Sequence, residues 1–472
     1  MFRPFHPLLL LACLALPFVS QIMVSNALGL SDEKLILDAS PDYFPEIQTA
    51  PLNVRPSNWD DLGDLKNEGG GMVSILVDFV DGFSLDEADE FGEQFSLDFN
   101  SVAENTDDIS FYRARLPFGR FSSVLRRLRQ HEDLVEHAEG NLIYWALGAG
   151  SDQDGRDQDG ERGFPNDPLY KHQWHLEQIG MPKAWKMADG DGVVVAVIDT
   201  GVAAEDYQKF KRAEDLANTR FVLGYNFVGN NEHPIDDNGH GTHVAGTIAQ
   251  STDNGLGCAG VGLKLSIMPL KVLSGGGFGT AGAIAAAIRW AADNGADVIN
   301  MSLGSRLPSY SIKKACEYAH GKGVTIVCAA GNSGRKGVGY PARFDCCIGV
   351  SATRYDEEIT FYSSWGQGVD VAAPGGDVRV DQNGDGVPDG VMQNTFMRGD
   401  PEKEGYYNFM GTSMASPHAA AVCALIVSQG VNDPEAVRRV LKKSARTKGE
   451  GPTDEKYGAG IIDAVAAINL AR

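Results

Sequence analysis

The chain has 472 residues, of which 43% are hydrophobic and 22% are charged, with 56 glycines and 21 prolines. This composition excludes a disordered, collagen-like or multi-span membrane protein and leaves enough residues for two or three domains. The net charge of −22 is unevenly spread, because residues 28–163 carry 29 acidic and 11 basic side chains. The densest basic cluster has the spacing of one solvated helix face and comprises Arg438, Arg439, Lys442 and Lys443. Since nucleic-acid binding needs a basic stripe, we expect no nucleic-acid partner.

Residues 1–27 have the pattern of a secretory signal peptide. Arg3 lies in a short basic start, residues 8–19 form an apolar run, and residues 25–27 (Ser-Asn-Ala) form a small-x-small cleavage site. The apolar run is short for a membrane span, so a retained anchor is the weaker alternative. We expect a secreted, extracellular product that has no membrane attachment once the signal is removed.

Six of the seven cysteines lie outside the signal peptide. An exported protein can form disulfides, but six cysteines allow fifteen pairings and the sequence does not select among them. The chain has no CxxC motif, so a zinc ribbon is not supported. Cys328 and Cys423 lie in apolar surroundings that favour buried thiols.

Residues 72–147 alternate short apolar runs with helical periodicity. The strand-like runs are 73–80, 109–116 and 142–147, and the helical ones are 85–95 and 121–136. This order predicts a small α+β unit. Residues 148–163 follow and are rich in Asp and Gly. This composition indicates an exposed linker, and calcium binding by the Asp side chains is the alternative. Residues 28–70 show no interpretable pattern.

From residue 164 onwards, buried-type strands alternate with amphipathic helices. The strands are predicted at 193–198, 265–273, 298–303 and 324–330, and the helices at 241–249, 280–294, 311–321, 413–427 and 434–444. This alternation is typical of an α/β fold, a parallel sheet with helices on both faces. Ligands bind beyond the carboxyl ends of such strands, where Asp199 and Asn332 lie.

Four motifs carry the residues needed for acyl transfer by a hydroxyl group. These are Asp199 in AVIDTGV, His240 in DDNGHGTHVAGT, Asn332 in CAAGNSG and Ser413 in GTSMASPH. A hydroxyl nucleophile needs a base, a carboxylate that orients the base, and donors for the oxyanion. With these motifs in this order, residues 164–472 resemble the subtilases, the subtilisin-like serine peptidases.

The resemblance implies a subtilisin-like fold and a serine endopeptidase of broad specificity that prefers apolar or aromatic side chains. Ser413 would be the nucleophile, His240 the general base, Asp199 its carboxylate partner and Asn332 an oxyanion donor. The resemblance also implies a substrate cleft, in which a peptide adds as a strand between two walls. The cleft residues would be Gly275, Gly276 and Gly277 on one wall, Ser302, Leu303 and Gly304 on the other, and Gly339 at the pocket floor.

Two other motifs are weaker. Residues 277–282 fit GxGxxG, but Asp297 precedes its strand, whereas a ribose-binding acid should follow it. An esterase elbow would need glycine where Ala415 stands.

Calcium is the predicted cofactor, at two places. An EF-hand-like loop offers oxygen ligands at positions 1, 3, 5, 7 and 9, namely Asp381, Asn383, Asp385, the Val387 carbonyl and Asp389. Met392 stands where such loops carry a bidentate Glu, so a metal-free polar turn is the alternative. The second site is implied by the resemblance alone. Its ligands would be Asp167 and Asn254, with carbonyl groups of Ser251, Leu256 and Cys258, and Asp215 is a further candidate.

Residues 28–163 resemble a subtilase propeptide, and the unit at 72–147 is similar to the small ferredoxin-like domain of such pro-regions. The propeptide would act as an intramolecular folding aid and inhibitor, removed by a cut between Leu147 and Asn166. A permanently attached domain is the alternative. We expect a monomer whose partners are peptide and protein substrates and its own propeptide. A different functional class stays open, a calcium-binding interaction protein on an inactive subtilase scaffold.

Overall fold

The structure is a computed structural model that describes residues 72–80, 82–102, 110–150, 164–397, 400–449, 451 and 453–472. The predicted signal peptide, residues 28–70 and linker residues 151–163 lie outside the described residues. The chain forms two compact units, of which the first ends at Asn141 and the second begins at Leu142. None of the helices in these described ranges is long and apolar enough to cross a membrane.

The first unit is a four-stranded antiparallel sheet with two helices. Its elements are β1 (Met72–Phe79), α1 (Leu85–Glu93), β2 (Phe99–Ser101), β3 (Phe111–Pro117), a 3-10 turn (Phe118–Arg120), α2 (Phe121–Leu128) and β4 (Val135–Gly140). The strand order β2-β3-β1-β4 is the ferredoxin-like arrangement of a β-α-β-β-α-β chain. Ser84 and Glu87 form a capping box that fixes the start of α1.

Two predictions for the first unit are wrong. The helix predicted at 121–136 ends at Leu128, and Val135–Gly140 is a strand because it pairs with β1. The local sequence pattern cannot show this pairing, because the partner strand β1 lies more than 50 residues earlier in the chain. The strand predicted at 142–147 does form, but Ile143–Ala146 belongs to the second unit.

The second unit contains the remaining strands and helices. The strands are β5 (Ile143–Ala146), β6 (Ala149–Gly150), β7 (Val194–Asp199), β8 (Arg220–Phe221), β9 (Tyr225–Asn226), β10 (Ser266–Lys271), β11 (Phe278–Thr280), β12 (Val298–Met301), β13 (Leu303–Gly304), β14 (Thr325–Ala329), β15 (Cys347–Thr353), β16 (Val371–Pro374), β17 (Val391–Met397) and β18 (Asp400–Met410). The helices are α3 (Trp174–Gln178), α4 (Met181–Ala184), α5 (His240–Ala249), α6 (Ala281–Asp293), α7 (Tyr310–Gly321), α8 (Thr412–Val427), α9 (Pro434–Ser444) and α10 (Ala464–Ala471), with 3-10 turns at Tyr170–His172 and Glu214–Leu216.

An eight-stranded parallel sheet forms the centre of the second unit. Its order is β16-β15-β14-β12-β7-β10-β8, and β9 also pairs with β10. The predicted α/β fold is therefore confirmed, although the sequence analysis missed β15 and β16. Strands β12, β14 and β15 are buried along their whole length, as expected for the centre of a parallel sheet that is covered on both faces.

Helix α8 crosses the interior of this unit. All sixteen of its residues are buried, as expected for a helix that is apolar all round. Asp199 ends β7, and Asn332 follows β14 by three residues. Because the carboxyl ends of parallel strands lie at one edge of a sheet, these side chains come together near the start of α8.

Candidate active site

Asp199 and His240 form a buried hydrogen-bonded pair. Asp199 is fully buried and His240 is 3% exposed, and Nδ1 of His240 lies 2.7 Å from Oδ1 of Asp199. The same carboxylate oxygen accepts a 2.7 Å hydrogen bond from the Thr200 backbone N–H. A carboxylate beside Nδ1 favours the tautomer that carries its proton there, which leaves Nε2 able to accept a proton.

Asp236 organises the chain around this pair, and the sequence analysis missed it. Its carboxylate is 1% exposed and accepts five hydrogen bonds of 2.7 to 2.9 Å. The donors are the Thr200 and Thr242 hydroxyls and the backbone N–H groups of Asn238, Gly239 and Thr242. A buried acid four residues before His240, in the motif DDNGHGT, was the available signal.

Asn332 is fixed by the residue that precedes the candidate nucleophile. Its Oδ1 accepts hydrogen bonds from the backbone N–H of Thr412 at 2.9 Å and from the Thr412 hydroxyl at 2.8 Å. The amide Nδ2 therefore faces the cleft, where it donates to the Leu147 carbonyl oxygen at 2.7 Å. The Ser413 backbone N–H donates to the same oxygen at 3.2 Å. Two N–H donors converging on one carbonyl oxygen have the geometry of an oxyanion hole.

Ser413 is fully buried in the first turn of α8. Its hydroxyl donates to the Ser302 carbonyl at 2.9 Å. At the start of a helix, unpaired backbone N–H groups and the helix dipole favour negative charge. Ser413 thus stands where an oxyanion beside it would be stabilised.

A buried polar network secures the backbone of Ser413. Pro417 has no N–H to bond the Ser413 carbonyl within the helix, and the Ser302 hydroxyl donates to that carbonyl instead, at 2.8 Å. Asn300 donates to the Ser302 hydroxyl at 3.0 Å and accepts from the Ser416 hydroxyl at 2.7 Å. The sequence analysis did not identify this supporting role of Asn300 and Ser416.

The two predicted walls of the cleft flank a strand of the chain itself. β5 lies between β11 and β13 and pairs with both in antiparallel fashion. The Ala146 N–H donates to the Gly277 carbonyl at 2.9 Å, and the Leu147 N–H to the Ser302 carbonyl at 3.2 Å. A Cβ added to Gly304 would lie 3.0 Å from Cδ1 of Leu147, so this glycine makes room for the leucine side chain.

The other predicted cleft residues lie close by. The Asn238 side chain donates to the Gly275 carbonyl at 2.9 Å, and Gly276 continues the same turn into β11. The Gly339 N–H donates to the Ala330 carbonyl at 2.9 Å, beside the end of β14.

Beyond Leu147 the chain continues through the site. A Cβ added to Gly148 would lie only 2.8 Å from Nε2 of His240 and 3.2 Å from Sδ of Met414, so the glycine is in close contact with the histidine. β6 then pairs with β18, with Ala149 opposite Met410. The peptide bond between Leu147 and Gly148 therefore lies between the oxyanion donors and the imidazole.

The residues of the family-type calcium site come together around Asp215. Asp215 is fully buried, and its two carboxylate oxygens accept from the Asn254 amide at 2.7 Å and the Cys258 N–H at 2.9 Å. Asp167 accepts from the Asp253 N–H at 2.8 Å. Burial raises the pKa of Asp215 to about 8 and that of Asp167 to about 6.

The loop that carries the other predicted ligands lies beside these carboxylates. The Ser251 N–H donates to the Asp215 carbonyl at 3.1 Å, and the Leu256 N–H donates to Asn254 Oδ1 at 2.8 Å.

The predicted EF-hand-like loop folds on its own side chains. Asp381 accepts from two backbone N–H groups of the loop, Asn383 accepts from the Asp385 N–H, and Asp385 accepts from the Val387 N–H. Oδ1 of Asp389 is buried without a hydrogen-bond partner, and burial raises the pKa of this residue to about 6. Among the described residues, no group of three or more His, Cys, Asp or Glu side chains is arranged to hold a metal ion. Calcium binding therefore stays a prediction.

Comparisons with known proteins agree with this geometry. The model of the subtilase family matches residues 190–460. Thermitase from Thermoactinomyces vulgaris is 38% identical over 306 residues, which are 65% of this chain and 97% of thermitase. A thermophilic serine proteinase from Bacillus sp. (strain AK1) is 35% identical over 431 residues, 90% of this chain and 96% of that protein.

A solved structure is similar over most of the chain. Fervidolysin from Fervidobacterium pennivorans, described as a keratinolytic enzyme related to subtilisin, superposes with a TM-score of 0.68 at 25% identity. The match covers 86% of this chain and 62% of fervidolysin.

Proposed function

Because this chain belongs to the subtilase family and is a subtilisin-like serine endopeptidase, we propose that Ser413, His240 and Asp199 are its catalytic triad. Asn332 and the Ser413 N–H form the oxyanion hole. The support is the 2.7 Å pair between Asp199 and His240 and the convergence of two donors on one carbonyl oxygen. No observation favours the alternative of an inactive calcium-binding scaffold.

The positions of these groups support the following order of catalytic steps. The Ser413 hydroxyl turns from the Ser302 carbonyl, gives its proton to Nε2 of His240 and attacks the substrate carbonyl carbon. The oxygen becomes an oxyanion that Asn332 Nδ2 and the Ser413 N–H stabilise, while Asp199 stabilises the imidazolium. His240 then protonates the leaving amine, which lies on its side of the cleft, and water hydrolyses the acyl-enzyme by the reverse sequence.

The observation that carries this proposal is the Leu147 carbonyl in the oxyanion hole, with Gly148 against His240. A bond to be cleaved needs its carbonyl oxygen at the oxyanion donors and its leaving amine on the side of the general acid, and this bond has that placement. We infer that the protein is made as a precursor and cuts its own chain between Leu147 and Gly148. This bond lies at the start of the 147–166 range that the sequence predicts, and it makes residues 28–147 the propeptide.

The bound segment also indicates a substrate class. Leu147 precedes the proposed cut, and the Tyr144 side chain, three residues earlier, is fully buried with its hydroxyl donating to the Leu307 carbonyl at 3.3 Å. The rings of Trp145 and Phe278 lie 5.3 Å apart. The enzyme should therefore prefer a large apolar residue before the cut and an aromatic residue three positions before that one.

Calcium binding and secretion complete the proposal. The oxygen donors around Asp215 and along residues 381–389 suit a hard divalent cation, and Asp389 offers a buried oxygen without a partner. Bound Ca²⁺ would stabilise the folded state. Secretion is supported by the pattern of residues 1–27.

A fluorogenic peptide with the sequence Ile-Tyr-Trp-Ala-Leu-Gly-Ala-Gly, copied from residues 143–150, tests the activity. We expect cleavage of the Leu-Gly bond by the wild-type enzyme and a loss of about a millionfold in kcat with Ser413→Ala, the size found in subtilisin. A matched peptide with Asp in place of Leu should be cleaved far more slowly. Cleavage at another bond, or equal rates for the two peptides, would contradict the proposed specificity.

A further inference from the structure

Lys271 is a buried lysine at the end of β10. It is 4% exposed and lies opposite Asp199 across the parallel strands. Its ammonium group donates to the Thr200 carbonyl at 2.6 Å, to Asp237 Oδ1 at 2.6 Å and to the Leu273 carbonyl at 3.0 Å. Because an ammonium group has three N–H donors, each donor has an acceptor, and the buried charge is fully hydrogen-bonded.

The three acceptors belong to three separate segments of the site. Thr200 directly follows β7, and Asp237 lies three residues before His240. Leu273 begins residues 273–280, which form the side of the cleft that contains β11 and are called the β11 wall below. One buried charge therefore joins the β11 wall to the two segments that carry the proposed base and its carboxylate partner.

The β11 wall lies outside the central sheet and needs support from elsewhere. β11 pairs with β5 in a separate three-stranded sheet. A Cβ added to Gly275 would lie 3.0 Å from Oδ2 of Asp237, so this part of the wall packs on the carboxylate that Lys271 holds. The Asp237 side chain is 41% exposed. Without the lysine, this carboxylate could turn into solvent and leave the wall without its support.

The proposed triad has other supports. The Thr200 hydroxyl donates to Asp236 at 2.9 Å and accepts from the Gly241 N–H at 2.9 Å. β7, which ends at Asp199, is paired on both sides within the central sheet. Loss of the Lys271 ammonium should therefore displace the β11 wall more than the triad.

The β11 wall contacts only part of the segment that lies in the cleft. It pairs with residues 143–145 of β5, and the Gly277 carbonyl accepts from the Ala146 N–H at 2.9 Å. The Leu147 N–H, by contrast, donates to the Ser302 carbonyl on the other wall, at 3.2 Å. The β11 wall therefore binds the second to fifth residues before the proposed cut, and the other wall binds the first.

We propose that Lys271 is a positioning residue that makes the enzyme select extended peptides. By holding Asp237 and the Leu273 carbonyl, it keeps β11 where an incoming peptide can pair with it as a strand. A substrate that offers only the residue before the cut gains nothing from this wall, whereas a longer substrate gains backbone hydrogen bonds. This inference rests on the proposed function, because it takes residues 143–147 as the guide to how a substrate lies.

Two anilide substrates with the same reacting bond separate this role from a general structural one. Acetyl-Leu-p-nitroanilide offers one residue, and acetyl-Ile-Tyr-Trp-Ala-Leu-p-nitroanilide copies residues 143–147. We expect Lys271→Met to lower kcat/KM about tenfold for the long substrate, the effect of one or two backbone hydrogen bonds, and less than about twofold for the short one. Equal losses on both substrates, or no loss on either, would overturn the proposal.

Three further variants sharpen the result. Asp237→Ala, at a partly exposed position, should give the same selective loss, whereas Asp237→Asn keeps an oxygen that accepts from the lysine and should stay near wild type. Lys264→Met is the matched control, since Lys264 forms an exposed ion pair with Asp189 at 2.7 Å near the other end of β10. Its kinetics should match wild type on both substrates. Equal losses for Asp237→Asn and Asp237→Ala would contradict positioning through this hydrogen bond.

Hydrogen exchange in the Ser413→Ala precursor tests the positioning without any need for activity. Adding Lys271→Met should make the amides of residues 272–280 exchange several-fold faster, while residues 298–304, which contain β12 and β13, keep their rates. Unchanged exchange in residues 272–280, or equal acceleration in both segments, would overturn the proposal. Faster exchange confined to residues 272–280 in a protein whose wild type cleaves neither anilide would contradict only the proposed function.

Discussion

Thr412 orients the Asn332 amide that faces the Leu147 carbonyl. Both its backbone N–H and its hydroxyl donate to Oδ1 of Asn332, so Nδ2 of the amide must face the Leu147 oxygen. An amide without these donors could turn over and present its oxygen, which would repel a developing oxyanion. The residue before the proposed nucleophile thus positions the Asn332 side chain, which lies on a different loop.

Removing the Asn332 amide should lower kcat while KM changes little, because an oxyanion contact strengthens in the transition state. We expect Asn332→Ala to lose about 100- to 1000-fold in kcat, the range established for one such donor in subtilisin. Thr412→Val should lose less, and Thr412→Ser, which keeps the hydroxyl, should stay near wild type. Steady-state kinetics on the Leu-Gly peptide would separate these outcomes. Equal losses for Thr412→Val and Thr412→Ser would contradict the orienting role.

Gly148 is the residue that allows the chain to pass His240. Because an added Cβ would lie 2.8 Å from Nε2, we expect Gly148→Val to slow self-cleavage strongly, so that uncut precursor accumulates. Gly119→Ala is the matched control, since a Cβ at that position meets nothing within 4 Å. Gel analysis of both precursors over time gives the rates. A Gly148→Val precursor that matures at the wild-type rate would show that another bond is cut.

Two buried histidines connect helix α8 to helix α3. His418 lies on α8 and His175 on α3. His418 Nδ1 lies 2.7 Å from the Met414 carbonyl, so this nitrogen carries the proton and Nε2 accepts. His175 Nδ1, 2.8 Å away, must then be the donor to Nε2 of His418. Protonation of His418 would set two N–H groups against each other in the turn that follows Ser413.

These histidines predict a loss of stability in acid. Burial lowers the pKa of His418 to about 4 and that of His243 to about 3, and burial together with His418 and His243 lowers the pKa of His175. The unfolded chain, with histidine pKa values near 6.5, binds protons at these positions first, so the three histidines should lower the unfolding free energy as pH drops from about 6.5 to about 4. The carboxyls of Asp215, Asp167 and Asp389, whose pKa values are raised, act in the opposite direction, so the histidine contribution is measured by comparison with a variant. Each such histidine contributes about 1.4 kcal/mol per pH unit in that window.

Denaturant unfolding of the Ser413→Ala protein between pH 4 and 7 would measure this slope. His175→Gln removes the contribution of one buried histidine and should therefore make the slope of unfolding free energy against pH less positive. An unchanged slope in His175→Gln would contradict the linkage between the histidine pair and stability.

On the scale of the whole molecule, the α/β architecture could be predicted because β7, β10, β12 and β14 are nearly continuous apolar runs flanked by helical periods. The residues of the proposed triad could be singled out because their motifs are local. The supports of the site were not predicted, since the sequence does not show that Asp236 is buried with five donors around it or that Asn300 meets Ser416, which lies 116 residues further along the chain. The position of β5 in the cleft could not be predicted either, because its partners, β11 and β13, are more than 130 residues away.

Calcium removal should destabilise the whole catalytic unit. A chelator should lower the thermal midpoint of the Ser413→Ala protein, since a ligand at 100 times its Kd contributes about 2.7 kcal/mol. Asp215→Asn and Asp389→Asn should each reduce this shift, whereas Asp297→Asn, a half-buried carboxylate elsewhere, should not. Differential scanning calorimetry with and without Ca²⁺ measures the shift. A thermal midpoint that changes neither with chelator nor with added Ca²⁺ would exclude structural calcium.

The intact mass and N-terminal sequence of the exported protein test the proposed self-cleavage most directly. We predict that the wild-type product begins at Gly148, while Ser413→Ala, expressed in a host without extracellular proteases, keeps every residue after the signal peptide. Purified wild-type enzyme added to the Ser413→Ala precursor provides a control for cleavage between molecules. A wild-type product that keeps residues 72–147 covalently attached, or a Ser413→Ala protein that is cut at the same bond, would contradict self-cleavage by Ser413 at Leu147–Gly148.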